Sequence, residues 1–285
     1  MSEEIEVTTV EGAATAADVP RLGGMPMLGF GTWELDDPTA CAEAVATALD
    51  AGYRHVDTAQ AYGNESVVGD AIERSHVDRD EVFLATKVWI ENLGYEDALE
   101  AAHGCLDRLG TDYVDLLYVH WPAGAYDPED TLEAFDELVE AGVTERIGVS
   151  NFEPEGLAEA CERADAPIFA NQFECHPLLP QDHLLDACQE HDVRPVAYSP
   201  LARGGVLKVP EIADVAARHD ATPAQVSLAW LRQRGITAIP KATSEAHIRD
   251  NWRSLTLRLD EADVAKLDAI DRVERRVDPD WAPWR

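Results

Sequence analysis

The sequence predicts an α/β protein whose fold is a single (β/α)8 barrel. Short apolar runs alternate with amphipathic segments, glycine and proline separate them at regular intervals, and eight such runs can be counted. A length of 285 residues is normal for one barrel of this type. We therefore expect one domain over residues 1–285, with residues 1–17 loosely ordered. The alternative is a doubly wound parallel sheet, which usually has fewer strands and a glycine-rich phosphate-binding fingerprint.

A β-hairpin is predicted at the start of the fold, within Val19–Leu28. Gly23 and Gly24 stand there between two short apolar stretches, which is typical of a tight turn between antiparallel strands. Because this segment precedes the first barrel strand, we expect the hairpin to close the bottom of the barrel.

Eight parallel strands are predicted from the apolar runs. In chain order they are Leu28–Trp33, Arg54–Thr58, Val82–Val88, Val114–His120, Arg146–Ser150, Ile168–Phe173, Arg194–Ser199 and Ile236–Pro240. Helical segments with one apolar face lie between them. The clearest helices are Pro38–Ala51, Tyr95–Leu109 and Asp130–Ala141. Gly52, Gly142 and Gly235 follow helical segments, and we expect them to end those helices in a left-handed conformation.

The charge of the chain is strongly negative. There are 55 acidic and 23 basic residues, a net charge of −32, and only four of the basic residues are lysine. Repulsion disfavours nucleic acid or an anionic membrane as a partner. Self-repulsion destabilises the compact state at ordinary ionic strength, whereas at molar salt the Debye length falls to about 3 Å. We therefore hypothesise a halophilic protein from a high-salt cytoplasm; an ordinary acidic surface is the alternative.

Targeting and redox signals indicate a cytoplasmic protein. No apolar run approaches the roughly 18 residues of a membrane helix. The acidic start Met1–Glu6 lacks the apolar core of a signal peptide. Five cysteines, an odd number without a Cys-x-x-Cys pair, are typical of a reducing compartment. We expect a soluble monomer that acts on a small molecule.

Polar side chains stand at or just beyond the carboxyl ends of seven consecutive predicted strands. They are Asp57, Lys87, His120, Ser150, Asn151, Gln172, Ser199 and Lys241. Barrel enzymes carry their active sites at these strand ends. Because a purely structural barrel needs only caps there, we predict an active site at this mouth.

The run Val56–Glu65 supplies a carboxylate, Asp57, and a phenol, Tyr62. A phenol has a pKa near 10 and donates a proton poorly at pH 7, but a nearby ammonium such as Lys87 would lower that pKa. Asp57 can be the counter-ion of a buried lysine. His120 can hydrogen-bond and orient a carbonyl group. Each residue alone could be a cap or a core side chain, but together they can move a proton to or from a carbonyl oxygen.

Eight motifs together resemble the aldo-keto reductase superfamily, and most closely its prokaryotic diketogluconate-reductase-like members. In order they are Gly29-Phe30-Gly31-Thr32-Trp33, Asp57–Glu65, Thr86-Lys87, His120-Trp121-Pro122, Gly148–Phe152, Asn171-Gln172, Tyr198-Ser199-Pro200-Leu201 and Ile239-Pro240-Lys241. The resemblance runs from about residue 19 to residue 260. It implies an NADP-dependent oxidoreductase that reduces aldehydes or activated ketones to alcohols and needs no metal.

The resemblance also implies a role for each of the four candidate catalytic residues. Tyr62 would be the general acid, and Lys87 with Asp57 would lower its pKa. His120 would orient the carbonyl group. The implied lining of the substrate pocket is aromatic: Trp33, Trp89 and Trp121, for which core filling is the alternative.

The implied cofactor contacts extend across the barrel mouth. They are Ser150, Asn151, Gln172, Tyr198, Ser199, Leu201, Lys241, Thr243, His247, Asp250 and Asn251. Tyr198 would stack on the nicotinamide ring, and the first three residues would hold its carboxamide. Lys241 would meet a 2′-phosphate and Thr243 could donate a hydroxyl to it. Asp250 and Asn251 match the positions that contact adenine.

The segment after the eighth strand departs from the family pattern. Members that prefer NADPH usually have Lys-Ser at its start and an arginine six residues after the lysine. This chain has Lys241-Ala242 and His247 at those positions. Arg249 lies roughly 200° around a helix from His247, so it does not simply replace that arginine. Neutral histidine offers less charge than arginine, so we predict NADPH as the cofactor with relaxed use of NADH.

Two other function classes stay open. A non-catalytic NADPH-binding regulatory subunit of the same fold would lose a catalytic residue, yet all four are present. A metal-dependent barrel hydrolase could use His55 with Asp57, or Glu174 with His176, but it lacks the His-x-His pair that such enzymes need. The C-terminal run Trp281–Arg285 could either fold over the mouth or remain a surface tail.

Overall fold

The computed structural model describes residues 15–285. The predicted loose order of residues 1–17 therefore falls mostly outside the described residues. At the described start, Ala16–Asp18 form one 3-10 turn. The Asp18 carboxylate accepts hydrogen bonds from the backbone and the hydroxyl of Thr15, at 2.8 and 2.7 Å.

The predicted N-terminal hairpin is confirmed. Strands β1 (Arg21–Leu22) and β2 (Met25–Pro26) pair antiparallel around Gly23-Gly24. Both glycines have positive φ, a backbone region that favours glycine. A Cβ on Gly23 would lie 3.0 Å from the ring of Phe169, which stands near the amino end of its strand. The hairpin therefore closes the bottom of the barrel.

Eight parallel strands follow one another in chain order, and each pairs with the next. They are β3 (Phe30–Gly31), β4 (His55–Asp57), β5 (Phe83–Val88), β6 (Leu116–Val119), β7 (Ile147–Ser150), β8 (Ile168–Glu174), β9 (Arg194–Tyr198) and β10 (Thr237–Ala238). A parallel bridge between Leu28 and Ala238 joins the two ends of this sheet. The predicted (β/α)8 barrel is therefore confirmed, and β8 alone extends past its predicted run, by Glu174.

Ten α-helices are present in the described range. They are α1 (Pro38–Ala51), α2 (Glu65–Glu73), α3 (Tyr95–Leu109), α4 (Pro128–Glu140), α5 (Pro154–Arg163), α6 (Asp182–Glu190), α7 (Pro210–Arg218), α8 (Pro223–Gln233), α9 (Glu245–Arg253) and α10 (Glu261–Asp268). The predicted bounds of α1 and α3 are confirmed. Helix α4 begins two residues before its predicted start, because Pro128 suits the first helical position and Asp127 accepts the N–H groups of Glu129 and Asp130. The three predicted C-terminal glycines all have positive φ.

Two hydrophobic clusters fill the fold. The larger one lies between the strands and the surrounding helices. The smaller one fills the inside of the barrel with Met25, Phe83, Ala85, Leu116, Tyr118, Ala170, Val196 and Ile239. Because Met25 comes from the hairpin, this cluster occupies the lower part of the barrel. The upper part is left to polar side chains.

The described residues bear on two further predictions. Within residues 15–285, no helix combines the length and the apolar character needed to cross a membrane. All five cysteines are free thiols. Burial raises the pKa of Cys41 to about 11, so this thiol stays protonated and acts as a small core residue.

Candidate active site

Strand alternation explains why four of the predicted residues meet at the mouth. Lys87, His120, Gln172 and Tyr198 lie at or just beyond strand ends. Side chains two positions apart on a strand point to the same side. The residues two positions earlier all belong to the interior cluster: Ala85, Tyr118, Ala170 and Val196. The four polar side chains therefore stand directly above the apolar barrel interior.

Lys87 and Asp57 form a buried ion pair on neighbouring strands. The Lys87 side chain is fully buried, and its Nζ donates to Asp57 Oδ1 at 2.5 Å and to the Thr58 carbonyl at 2.8 Å. Gln172 Nε2 donates to the other carboxylate oxygen at 2.8 Å. Burial lowers the pKa of Lys87, and the Asp57 carboxylate opposes that shift. Both oxygens of Asp57 are thus occupied within the barrel.

Tyr62 is held at the mouth by the turn that follows β4. It ends a 3-10 turn over Gln60–Tyr62, and Gly63 continues with φ 67°, a left-handed conformation that favours glycine. Asn64 ties this turn to the barrel, because its Nδ2 donates to the Thr32 carbonyl at 2.9 Å. Lys87 Nζ lies 5.2 Å from the centre of the Tyr62 ring. The phenol therefore stands next to the ion pair.

The pKa of Tyr62 shifts in the direction opposite to the one expected from Lys87. Burial raises the pKa of Tyr62 well above its usual value, and the Asp57 carboxylate raises it further. The physical reason is that Lys87 is already paired with Asp57, so the phenol faces an ion pair and not an isolated ammonium. In the resting protein Tyr62 therefore keeps its proton.

His120 packs between two aromatic rings. Its imidazole meets the Tyr62 ring edge-to-face at 5.7 Å and the Trp89 ring at 5.0 Å. Burial lowers the pKa of His120 well below its usual value, and the Lys87 ammonium lowers it further. His120 is therefore neutral near pH 7, in the form that can both donate and accept a hydrogen bond.

One cavity of about 1100 Å³ opens above these residues. Asp57, Tyr62 and His120 line it, whereas Lys87 lies beneath its floor. The remaining lining includes the three predicted pocket tryptophans, Trp33, Trp89 and Trp121. Seven of the predicted cofactor contacts line it as well: Ser150, Asn151, Gln172, Tyr198, Ser199, Leu201 and Lys241. The structure thus brings most of the predicted site residues to one cavity.

Hydrogen bonds join the polar side chains of Ser150, Asn151 and Tyr198 on one side of the cavity. Asn151 Nδ2 donates to the His120 carbonyl at 3.1 Å and to Ser150 Oγ at 3.0 Å. The Ser150 hydroxyl donates to the Gln172 carbonyl at 2.9 Å. The Tyr198 hydroxyl donates to Asn151 Oδ1 at 2.8 Å, which fixes the orientation of the Tyr198 ring. This network is preorganised beside the ion pair.

The other four predicted cofactor contacts lie outside the cavity lining, around α9. Thr243 and His247 are exposed, and Asn251 is buried. The Asp250 carboxylate accepts hydrogen bonds from Thr222 Oγ1 and Gln225 Nε2, both at 2.7 Å. The Asp250 carboxylate is therefore already hydrogen-bonded to side chains at the start of α8.

The cations at this end differ in availability. Lys241 is exposed, lines the cavity and has no carboxylate partner within the described range. Arg249 is paired with Glu245 one helical turn away, at 2.8 Å. Lys241 is therefore available to an anionic group in the cavity, and Arg249 does not supply the charge that an arginine at position 247 would.

The C-terminal run folds over the mouth, which resolves the alternative left open by the sequence. The Trp281 ring lies 4.9 Å from Trp121 and 6.3 Å from Trp89, both edge-to-face. The Trp284 ring lies 5.5 Å from Trp121. Trp281 also lines the cavity, so a fourth tryptophan joins the three predicted ones.

Arg203 is a cavity-lining residue that the sequence analysis missed. Its guanidinium lies 4.3 Å from the centre of the Trp33 ring. Ala202 and Arg203 both have positive φ, ahead of Gly204. The glycine pair Gly204-Gly205, two residues beyond the Tyr198–Leu201 motif, was the available signal for this tight turn.

The side chains considered as metal ligands have other partners. His55 is fully buried and its Nδ1 lies 3.1 Å from the Pro26 carbonyl. His176 Nε2 lies 2.9 Å from Glu174 Oε1, and both side chains are fully buried. In the described part of the chain, His, Cys, Asp and Glu side chains form no group of three that could hold a metal ion.

Comparison with protein families and curated proteins gives consistent matches. The model of the Aldo/keto reductase family matches residues 27–272. A 9,11-endoperoxide prostaglandin H2 reductase of Trypanosoma cruzi is 40% identical over 261 residues, covering 90% of this chain and 92% of the relative. A methylglyoxal reductase DkgB of Yersinia pestis is 39% identical over 260 residues, covering 90% and 97%. A glyoxal reductase of Bacillus subtilis is 38% identical over 251 residues, covering 88% and 91%.

Solved structures show the same architecture. A putative 2,5-diketo-D-gluconic acid reductase B superposes with a TM-score of 0.88 at 36% identity, covering 91% of this chain and 92% of that one. An aldo-keto reductase, AKR2E5, in complex with NADPH superposes with a TM-score of 0.83 at 33% identity, covering 90% and 87%.

Proposed function

The chain belongs to the aldo/keto reductase family, and we propose that it reduces aldehydes or activated ketones to alcohols with NADPH. Relatives named as methylglyoxal and glyoxal reductases support a small carbonyl compound as the substrate. The observation that carries the proposal is the group of Tyr62, His120 and the Lys87–Asp57 pair at the base of one cavity.

Tyr62 is the proposed proton donor. Its raised pKa keeps the phenol neutral until negative charge develops on a carbonyl oxygen beside it. The phenolate left after the transfer would lie near the Lys87 ammonium, whose Nζ is 5.2 Å from the ring centre. The Lys87 ammonium therefore offsets part of the cost that burial and the Asp57 carboxylate impose on the phenolate, and the resting phenol stays protonated.

Neutral His120 is the proposed orienting group. It lies edge-to-face with Tyr62, so a carbonyl oxygen hydrogen-bonded to both side chains would be fixed between them. The aromatic walls formed by Trp33, Trp89 and Trp121 would exclude water from this place. These three rings are the proposed lining of the substrate pocket.

The residues around the cavity fit a nicotinamide dinucleotide, which supplies a hydride when bound. The side chains of Ser150, Asn151 and Gln172 offer polar groups for the carboxamide, since Asn151 Oδ1 accepts one hydrogen bond, from Tyr198, and an amide oxygen has two lone pairs. The fixed ring of Tyr198 offers a stacking face. Ser199 and Leu201 line the cavity next to it.

The proposed cofactor preference is NADPH with relaxed use of NADH. Lys241, which has no carboxylate partner among the described residues, is suited to a 2′-phosphate, with Thr243 as a hydroxyl donor and His247 in place of an arginine. Asp250 and Asn251 remain the proposed adenine contacts. The Asp250 carboxylate can take this role because its two present hydrogen bonds leave lone pairs free.

We also propose that the chain acts as one domain and as a monomer in a cytoplasm of high salt. A net charge of −32 with only four lysines supports the high-salt setting. Five free thiols support a reducing compartment.

The test is an assay of the purified protein with NADPH and methylglyoxal, glyoxal or aromatic aldehydes, following the loss of NADPH absorbance. We expect turnover that is insensitive to a metal chelator. The alternative, a non-catalytic regulatory subunit, predicts that NADPH quenches tryptophan fluorescence while no carbonyl compound is reduced. Turnover that disappears with the chelator and returns with a divalent metal would instead favour metal-dependent chemistry.

A further inference from the structure

Glu174 is a buried carboxylate that the proposed chemistry does not use. It ends β8 two residues after Gln172, so both side chains point to the same side of the strand. Its side chain is fully buried and has no lysine or arginine partner in the described part of the chain. A carboxylate in such a place is costly unless several donors satisfy it.

The donors come from the C-terminal segment, about 100 residues later in the chain. The backbone N–H of Arg276 donates to Glu174 Oε1 at 2.7 Å, and that of Val277 donates to Oε2 at 2.8 Å. His176 Nε2 lies 2.9 Å from Oε1. One carboxylate thus holds two consecutive amides, one with each oxygen.

The residues that follow this attachment form a wall of the cavity. Val277, Asp278, Pro279 and Trp281 all line it. The segment contains no α-helix or β-strand after Asp268. Apart from the two amides on Glu174, its backbone is joined to the barrel by the N–H of Glu274, which donates to the Leu178 carbonyl at 2.8 Å. Among the described residues, Glu174 therefore accepts two of the three backbone hydrogen bonds that join this segment to the barrel just ahead of the wall.

We propose that Glu174 is a positioning residue that fixes the C-terminal segment as a wall of the substrate pocket. By holding amides 276 and 277, it keeps Trp281 against Trp121 and Trp89. This aromatic wall favours carbonyl substrates that carry a flat apolar group, because such a group can cover the exposed Trp281 ring. A substrate as small as methylglyoxal gains little from that contact. The substrate preference rests on the proposed function, whereas the attachment does not.

The variant Glu174→Gln tests the attachment. A glutamine side chain has one acceptor oxygen, and its NH2 group faces the second backbone N–H, so a donor meets a donor. We expect hydrogen exchange of the 272–285 region to quicken about tenfold or more, since an unmet buried donor is costly. Glu211→Gln is the control, because it removes an exposed contact of the same segment, that of Arg272 at 2.5 Å. We expect exchange in that control to stay as in the wild type.

Kinetics test the consequence for the pocket. In Glu174→Gln we expect KM for an aromatic aldehyde to rise about tenfold, with kcat/KM for methylglyoxal and the Kd of NADPH nearly unchanged. The effects of Glu174→Gln and Trp281→Ala on the aromatic substrate should be non-additive, because both act through one wall. If Glu174→Gln does not fold, Glu174→Asp keeps two acceptor oxygens one methylene further away and should show intermediate exchange.

Wild-type exchange in a folded Glu174→Gln or Glu174→Asp protein would overturn the proposal. Equal losses for the aromatic and the small substrate would also overturn it, because they would indicate a general structural role. A wild-type protein that reduces no carbonyl compound would contradict the proposed function alone, and exchange would still decide whether Glu174 holds the segment.

Discussion

The ammonium nitrogen of Lys87 lies 2.5 Å from Oδ1 of Asp57, and neither side chain is more than 2% exposed. This pair lies beneath the phenol of Tyr62 and behaves toward it as a dipole. Burial therefore sets the sign of the Tyr62 pKa shift, and the phenol holds its proton. When that proton leaves, the Lys87 ammonium offsets part of the cost of the new negative charge, which burial and the Asp57 carboxylate oppose.

Removing one member of the buried pair should destabilise the protein strongly. Lys87→Met leaves the Asp57 carboxylate buried with no counter-ion, which costs about 3–5 kcal/mol. Asp57→Asn likewise leaves the Lys87 ammonium buried with no counter-ion. We expect the double variant to cost less than the sum of the two single variants in chemical unfolding measured at high KCl. Additive losses would mean that the two charges do not stabilise one another.

His55 should make the fold sensitive to acid. Burial lowers the pKa of His55 to about 4, so the folded protein keeps it neutral while the unfolded chain protonates it near pH 6.5. The unfolded state then binds more protons, and stability falls as the pH drops from 6.5 to about 4. The loss attributable to this group is about 3 kcal/mol.

The measurement for His55 is the free energy of unfolding against pH, for the wild type and for His55→Gln. Glutamine keeps polar atoms at this place but does not titrate. We expect a shallower acid slope in the variant, whatever its stability at pH 7. Equal slopes between pH 6.5 and 4 would show that His55 is not the group responsible.

The net charge of −32 should make stability depend on salt. At low ionic strength the acids repel one another, and at about 1 M KCl the Debye length of about 3 Å screens that repulsion. We expect the melting temperature to rise with KCl, by about 2–4 °C for each kcal/mol of repulsion relieved. A protein that melts no lower in dilute buffer than in molar KCl would contradict the high-salt proposal.

His247 should limit the preference for NADPH. His247→Arg adds a permanent charge at a position where the family usually has arginine, and a charge-assisted hydrogen bond would raise the kcat/KM ratio of NADPH to NADH about tenfold. Arg249→Gln is the control, since Arg249 is paired with Glu245, and we expect it to leave the ratio unchanged. A wild-type protein that strongly prefers NADH would refute the proposed choice of cofactor.

Local patterns predicted the barrel well because the signals that begin and end each helix, and the alternation of side chains along each strand, lie within a few residues of one another. Helix α1 matched its predicted bounds because Asp37 accepts the Ala40 N–H at its start and Gly52 ends it with φ 115°. The polar strand ends could be predicted for the same reason, since alternation along β5 places Lys87 above Ala85. These signals lie within a few residues of the features they determine.

Long-range contacts account for what the sequence could not predict. The last residue of β8 is Glu174, and its donors at 276 and 277 lie too far along the chain for any local pattern to connect them. The hydrogen bonds from Thr222 and Gln225 to the Asp250 carboxylate also join residues that are far apart in the sequence. The expected pKa of Tyr62 had the wrong sign because burial depends on the whole fold and a spacing between residues does not reveal it.

Two tyrosines near Lys87 allow a controlled test of the proton donor. The Tyr62 ring centre lies 5.2 Å from Lys87 Nζ and Tyr62 lines the cavity, whereas the Tyr118 ring centre lies 5.8 Å away and is fully buried in the barrel interior. Tyr118→Phe should retain carbonyl reduction. The Tyr62 hydroxyl makes no hydrogen bond within the described residues, so Tyr62→Phe should fold with wild-type stability.

The most direct measurement is the rate of carbonyl reduction by Tyr62→Phe, taken together with its Kd for NADPH. We expect the rate to fall about 100-fold or more, as loss of a general acid requires, with NADPH binding unchanged. Turnover close to that of the wild type in the folded Tyr62→Phe protein would contradict the assignment of Tyr62 as the proton donor.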